Sequence, residues 1–331
     1  MKIFRFSILL TIMAMVIMTN CETDKNSGVN PVNQLEDKYF SIENATYQGG
    51  RMPSSNSGVE LDIRTNVTVL AGGSNLVTID SEVSISDIYV GVDKENGYYV
   101  LPPQSTGRGF VYVFSILLSQ NLNQDFTILF SANTSSGVSK LYSAVLEYKE
   151  QGTGALQISL SFDQDKDVDL YVVQPDGEVV YYGNRGYWDY FEDENGDLHY
   201  GQIWGLDLDS NAGCGIDGIN NENIYYPQEY LLTGKYEVWV NMWENCYPQN
   251  VPTNWTIVTT FNGTRIRPSW GNNPAYGTFP YDEPSNNISS SLYGATKVME
   301  FTIQGSSSVR INKGTQYPMS ESAKMKLEAS K

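Results

Sequence analysis

The sequence predicts an all-β protein: two immunoglobulin-like β-sandwiches in tandem, behind a signal segment and a polar tether. Three observations point there. Apolar and polar residues alternate along short runs such as Leu156-Gln-Ile-Ser-Leu-Ser-Phe162, the pattern of a strand with one buried face. The runs are separated by turn chemistry, for example Ala71-Gly-Gly-Ser-Asn75 and Asn262-Gly263, where Gly and Asn supply the backbone freedom a reversal needs. No long helical period competes with them.

In chain order, residues 1–20 read as a secretory signal, with Lys2 and Arg5 ahead of an apolar run over 6–18. That run is short for a permanent span. Met18-Thr-Asn-Cys21 resembles the lipobox of bacterial lipoproteins, which implies cleavage before Cys21 and its acylation; an ordinary signal peptide with an incidental cysteine is the alternative. Glu22-Thr-Asp24 resembles the export signals of Gram-negative surface lipoproteins. The implied address is the outer membrane, lipid-anchored and surface-exposed, with the periplasmic face as the other choice. Residues 21–37 form the polar tether.

The first sandwich is expected over 38–150, with strands at 59–63, 67–70, 76–79, 86–92, 110–118, 125–131 and 141–148. It carries no nucleophile–base pair and reads as a spacer. Gln151-Gly-Thr-Gly154 is a linker candidate. The second sandwich is expected over 155–304, with strands at 156–162, 169–173, 178–182, 235–243, 254–261 and 296–303. Gln174-Pro-Asp-Gly177 forms a turn. Trp239 and Trp243 share one strand phase and are expected in the core. If 163–169 is extended, its four Asp side chains share one side. The tail, 305–331, is polar, with a short helix over 321–328 at most.

The formal net charge is -17, and the acids are concentrated: fifteen Asp and Glu lie from Asp163 to Glu222 against only Lys166 and Arg185. A chain so acidic repels nucleic acid and anionic head groups. Solubility alone accounts for acidity of this kind, but the concentration points to a cation. With Cys21 assigned to lipid, Cys214 and Cys246 are an even pair in an oxidising compartment and are expected as a disulfide, stabilising by about 3 kcal/mol through loop closure. Zinc is poorly supported, because His199 is the only histidine and no Cys-x-x-Cys occurs.

The candidate ion site is the Gly- and Asp-rich stretch 204–227. Asp207, Asp209 and Asn211 alternate, and Glu222 follows. Oxygen ligands on a bent backbone suit calcium. The first three match the opening of an EF-hand loop, but Ala212 and Gly218 then depart from it, so the loop is not an EF-hand. Asp167 or Asp169 from the neighbouring strand would complete the shell. A solvated turn with local Asx bonds is the competing reading.

Several of these segments taken together resemble the uncharacterised bacterial YfaP-type domain: Asp167-Val-Asp-Leu-Tyr-Val-Val-Gln-Pro-Asp-Gly177, Tyr181-Tyr-Gly-Asn184, Leu206-Asp-Leu-Asp-Ser-Asn-Ala-Gly213, Glu222-Asn-Ile224 and Gly234-Lys-Tyr-Glu-Val-Trp-Val240. The resemblance implies a β-sandwich of secreted and envelope proteins and no defined activity. Residues 185–203 look like a longer aromatic and acidic loop than that family carries, with His199 on it. Tyr187, Trp188 and Tyr190 are its candidate ligand-binding rings. The expected function is non-catalytic recognition of a glycan or a protein by a calcium-stabilised surface lipoprotein. A structural envelope spacer and, behind it, a polysaccharide hydrolase are the alternatives.

Overall fold

A computed structural model describes residues 33–103, 110–193, 195–287 and 292–304. The signal, Cys21 and the short helix expected in the tail lie outside the described residues, as does most of the tether. The chain from Asn33 onward forms one compact unit, and it is all β apart from short helical turns.

After α1 (Gln34–Lys38), whose first amides are capped by the Asn33 side chain, come β1 (Phe40–Ser41), β2 (Thr46–Gln48), β3 (Asp62–Thr65), β4 (Thr68–Val69), β5 (Ser74–Asp80), β6 (Ile85–Val92), β7 (Tyr98–Leu101), β8 (Val111–Leu118), β9 (Phe126–Thr134), β10 (Gly137–Val138) and β11 (Tyr142–Tyr148). They form two sheets, β1-β8-β5-β3 and β2-β7-β6-β9-β11-β4, with β10 added to β9. Val77, Ile79 and Ile116 from one meet Ile88, Val90, Ile128 and Phe130 from the other in a closed apolar core.

The second half contains β12 (Leu156–Phe162), β13 (Asp167–Val173), β14 (Val179–Val180), β15 (Gly186–Glu192), β16 (Leu198–Leu208), β17 (Asn221–Tyr226), β18 (Gly234–Glu244), β19 (Thr253–Phe261), β20 (Thr264–Arg265), β21 (Trp270–Gly271), β22 (Ala275–Phe279) and β23 (Thr296–Ile303). Its sheets run β15-β16-β17-β12-β19-β20, with β22 on β19, and β14-β13-β18-β23-β21. Leu156, Ile158, Leu160 and Phe162 face Val168, Leu170, Val172, Val238 and Val240 across the second core.

Alternation in β12 predicts one wet face, yet every residue of that strand is buried. The polar face is covered by the first half. Ser74 Oγ and Ser161 Oγ lie 2.6 Å apart, Ser115 Oγ and Thr256 Oγ1 2.7 Å apart, and Gln157 Nε2 donates to the Ala71 carbonyl at 3.0 Å. The halves therefore share a polar, hydrogen-bonded seam. The glycine link belongs to it: Gln151 Nε2 also donates to Ala71 O, and a Cβ at Gly154 would stand 2.3 Å from the Tyr226 carbonyl. Glycine is required there for close approach.

Three expectations need correction. Trp239 and Trp243 do share a phase, but it is the outer one. Tyr236, Val238, Val240 and Met242 take the buried side of β18, and Trp243 Nε1 donates instead to the Tyr182 hydroxyl at 2.9 Å. Residues 185–203 are not a loop: β15 and β16 form a hairpin that places His199 in a strand opposite Phe191. The acids of 163–169 do not share a side, because the chain bends until β13 begins. Asp163 accepts from the backbone and side chain of Asn254, while Asp165 accepts from Asn220.

Candidate metal centre

The site forms on the edge of β13 that faces away from β18; among the described residues that edge has only β14 as a strand neighbour. β14 pairs only with Val172 and Val173, so the edge from Asp167 to Tyr171 is open on that side. The end of β16, the short 3-10 turn Ala212–Cys214 and β17 close over it. Glu222 arrives by strand phase: it stands opposite Leu160, two residues before Ile224, which stands opposite Ile158. A position that alternation reserves for the core thus holds a carboxyl group. It reaches the open edge, where Glu222 Oε2 accepts from the Leu170 amide at 2.6 Å.

Carboxylate oxygens of Asp169, Asp209 and Glu222 lie within 4.8 Å of one another. Asp169 and Glu222 are 2% and 1% exposed, and the Asp209 side chain 11%. Asp169 Oδ2 accepts from the Tyr171 hydroxyl at 3.0 Å. Glu222 Oε1 and Asp209 Oδ1 are buried with no hydrogen-bond partner, and a buried polar atom left so costs about 1–3 kcal/mol. The nearest positive group is Arg185, whose Nη1 is 3.6 Å from Asp209 Oδ2; that guanidinium also donates to the carbonyls of Leu206 and Asp207.

Electrostatics follow from burial. Loss of water, reinforced by Asp169, pushes Glu222 well above the ordinary carboxylate range. Loss of water and then the Asp167 charge do the same to Asp169. Burial raises Asp209 too, against the opposing pull of Arg185. Asp167 is pushed up to about 7, chiefly by burial, although it accepts from the Gly213 amide at 2.6 Å. At neutral pH, apposed carboxyls of this kind either retain protons or require a cation among them.

Of the six expected ligands, the structure brings together Asp169, Asp209 and Glu222, with Asp167 beside them. Asp207 and Asn211 go elsewhere. β16 has a register shift between Leu206 and Leu208 and ends there, so the spacing of two between Asp207 and Asp209 no longer implies a shared side. Asp207 accepts instead from the Gly152 amide at 2.5 Å and from Asn223 Nδ2 at 2.8 Å, which fixes the link between the halves. Asn211 adopts a left-handed backbone, φ 58°. Its amide donates to Lys166 O and Asn220 Oδ1 and its oxygen accepts from the Asp217 amide, so it organises the loop.

Cys214 and Cys246 are bonded, with Cα atoms 5.7 Å apart. The bridge ties the turn carrying the Gly213 amide to the chain just past β18. Lys166, read in the sequence only as an isolated positive charge, is fully buried, and its ammonium donates to the carbonyls of Cys246 and Pro248. Its position inside an acidic run gave no sign of that role. Among the expected ligand-binding rings, Tyr187 packs between Trp204 and Tyr230 and its hydroxyl donates to Asp189, so it supports the hairpin. Trp188 and Tyr190 are 46% and 37% exposed. Tyr200, which sequence reasoning missed, joins them at 62% exposure; its place opposite Tyr190 becomes visible only once the hairpin register is known. His199 Nε2 lies 3.1 Å from Asp193 Oδ2.

A cleft of about 420 Å³ opens between the halves, lined among others by Glu43, Trp255, Tyr276 and Thr278. Its polar groups already serve one another: Glu43 accepts from Arg265 and Tyr276, and Thr278 donates to Asn254. No family model matches this chain, and no curated protein matches it.

Proposed function

We propose that the chain is a membrane-tethered, non-catalytic binding module whose second sandwich is held together by a calcium ion. The observation that carries this reading is the buried, unpartnered oxygen of Glu222 facing Asp169 and Asp209. The three come from different places: β13 in one sheet, β17 in the other, and the segment after β16. An ion among them would staple sheet to sheet along the stretch of β13 that β14 does not cover. Oxygen-only donors of this charge suit a hard cation. Structural placement, under a loop and against a core, favours a stabilising ion over a reacting centre. Cys21 supplies the tether in this reading, and the exposed rings of the β15–β16 hairpin supply the recognition surface.

Isothermal titration of calcium into EGTA-stripped protein tests the ion. A single saturable site that is lost in E222Q supports the reading, and no heat above dilution removes it. The hydrogen-bonded seam between the halves favours a second reading, that of an envelope spacer. Intact fold and calcium response without binding to any glycan or peptide would favour that one.

A further inference from the structure

We infer that the outer edge of the β15–β16 hairpin is a docking strip for an extended, positively charged segment of a partner protein, which adds to β15 as a further strand. This rests on the binding-module reading and names its partner class.

Three observations converge. β15 ends its sheet, and its only strand partner among the described residues is β16. A terminal strand presents a row of main-chain donors and acceptors to any extended peptide. Beside that edge the side chains form a continuous platform: the Tyr200 ring lies 6.2 Å from Trp188 and 5.0 Å from Tyr190, centroid to centroid. Each ring touches a neighbour, so the platform is formed before a partner arrives, and little side-chain freedom is lost on binding. The charge is one-sided. Asp189, Asp193 and Asp197 lie on the hairpin, and no Lys or Arg occurs from 186 to 203. Arg185, at its root, is turned toward Asp209, and His199 faces Asp193.

The charge selects the occupant. An anionic polysaccharide or phospholipid surface meets repulsion. A second copy of this chain would bring Asp189 against Asp189. Lys and Arg side chains on one face of an added strand lie over the rings; the other face carries Asp189, whose carboxylate also accepts from the Tyr187 hydroxyl and the Tyr190 amide. Main-chain pairing supplies affinity, and the alternating cationic side chains supply register. Asp189, in the middle of β15, also guards the edge against self-pairing.

The test uses the full chain in calcium, with melting in calcium and in EGTA recorded for each variant. The probe is a ten-residue alternating Lys-Val peptide, compared with Glu-Val of the same length and with cellohexaose, followed by titration calorimetry and tryptophan fluorescence. We expect the Lys-Val peptide to bind and the other two not to. Affinity should fall several-fold between 50 and about 300 mM NaCl, because the pairing is exposed to screening. It should fall roughly tenfold or more in W188A/Y200A, since exposed aromatic anchors carry binding of this kind. Both substituted rings are exposed, and an unchanged melt of the variant excludes misfolding. D189P removes a strand amide and a carboxylate of the strip together and should abolish peptide binding with the melt unchanged; peptide affinity equal to the parent's would overturn the inference. Equal peptide affinity in W188A/Y200A and the parent would overturn the inference, since the acidic surface elsewhere would then be the binder. Binding of cellohexaose alone would overturn it while leaving the binding-module reading standing. Dimerisation abolished by W188A/Y200A would overturn it in favour of self-association. Loss of the calcium shift, with peptide binding retained, would count against the ion alone.

Discussion

Replacing Glu222 by glutamine separates a metal site from an acidic cluster more sharply than removing calcium does. Glutamine keeps a side-chain oxygen for the Leu170 amide that Glu222 now accepts at 2.6 Å. Its nitrogen supplies a permanent donor toward Asp209 Oδ1, which has none, and no proton has to be taken up at position 222 to keep that buried group neutral. In EGTA at neutral pH the variant is therefore expected to melt higher than the parent, by the equivalent of roughly 1–3 kcal/mol for relieving a buried unsatisfied group. In calcium the order reverses. At a calcium concentration of 100 times Kd the parent gains about 2.7 kcal/mol by mass action. For a unit of about 300 residues that corresponds to a rise in Tm of roughly 4 °C. The variant, lacking a ligand, should show little of that rise. Differential scanning calorimetry of both proteins in both conditions completes the square. If E222Q lowers Tm equally with and without calcium, the carboxylate serves only packing and the staple is wrong. Parent melts that coincide in calcium and EGTA would refute the staple as well.

Three further outcomes follow from the same geometry. Asp167, Asp169, Asp209 and Glu222 all have raised pKa values in the fold, so the folded state holds protons that the unfolded chain has released. Stability of the EGTA-treated protein should be full below the ordinary carboxylate value of 3.8 and fall as pH rises through the Asp167 value of about 7. Calcium should flatten that fall, and melts from pH 4 to 8 would show it; an EGTA-treated protein that gains stability over this range contradicts the assignment. Asp207→Ala removes the acceptor of the Gly152 amide and should cost about 1–3 kcal/mol while leaving the calcium shift intact; loss of the shift in denaturation curves would return Asp207 to the ligand set. Replacing both Cys214 and Cys246 by serine should cost about 3 kcal/mol in urea unfolding. It should also weaken calcium binding by titration, because the bridge holds the turn whose Gly213 amide fixes Asp167; an unchanged calcium Kd would uncouple bridge and site.

Strands with one apolar face were legible from alternation alone, and β8, β11, β12, β18 and β23 fall within a residue or two of their expected bounds. What alternation lacks is any statement of what covers the other face. Ser159, Ser161 and Gln157 look like solvent positions, and they are buried because the first half happens to lie there. The two-fold phase also leaves a choice of side: Trp239 and Trp243 do share one, but it is the outer one, because Tyr236, Val238, Val240 and Met242 fill the core. Gly186–Glu192 escaped because both faces of the hairpin carry large rings, so its sequence has no contrast between inside and outside. Asp207 and Asn211 were misread because an i, i+2 spacing carries geometric meaning only while the backbone stays regular. Glu222 is expected in a loop spanning 204–227, whereas it stands in the buried strand β17 in phase with Ile224 and Tyr226, because acids and Asn around it mask the strand's apolar series.

A core position held by an acid needs a reason beyond stability. Leucine at 222 would fill the space opposite Leu160 without an orphaned oxygen, and buried charges commonly destabilise relative to such a replacement. The cluster is not a diffuse acidic surface either, because its oxygens converge from both sheets at the stretch of β13 whose outer edge has no strand neighbour among the described residues. Arg185 carries the consequence outward. Its side chain neutralises part of Asp209, while its carbonyl accepts from the Leu206 amide and from Gln202 Nε2 at the root of the aromatic hairpin. Three carboxylates, one guanidinium and a divalent cation sum to zero charge. With the ion in place, Arg185 is held by balanced partners, and the base of the recognition strip is fixed; with the ion removed at neutral pH, the buried carboxyl groups take up protons in its place, Asp209 no longer holds the guanidinium with its full charge, and the hairpin loses its fixed footing. Hydrogen exchange over 186–202 should therefore quicken on calcium removal even though none of those residues is a ligand, and exchange there that is blind to calcium would mean that the ion and the strip act independently.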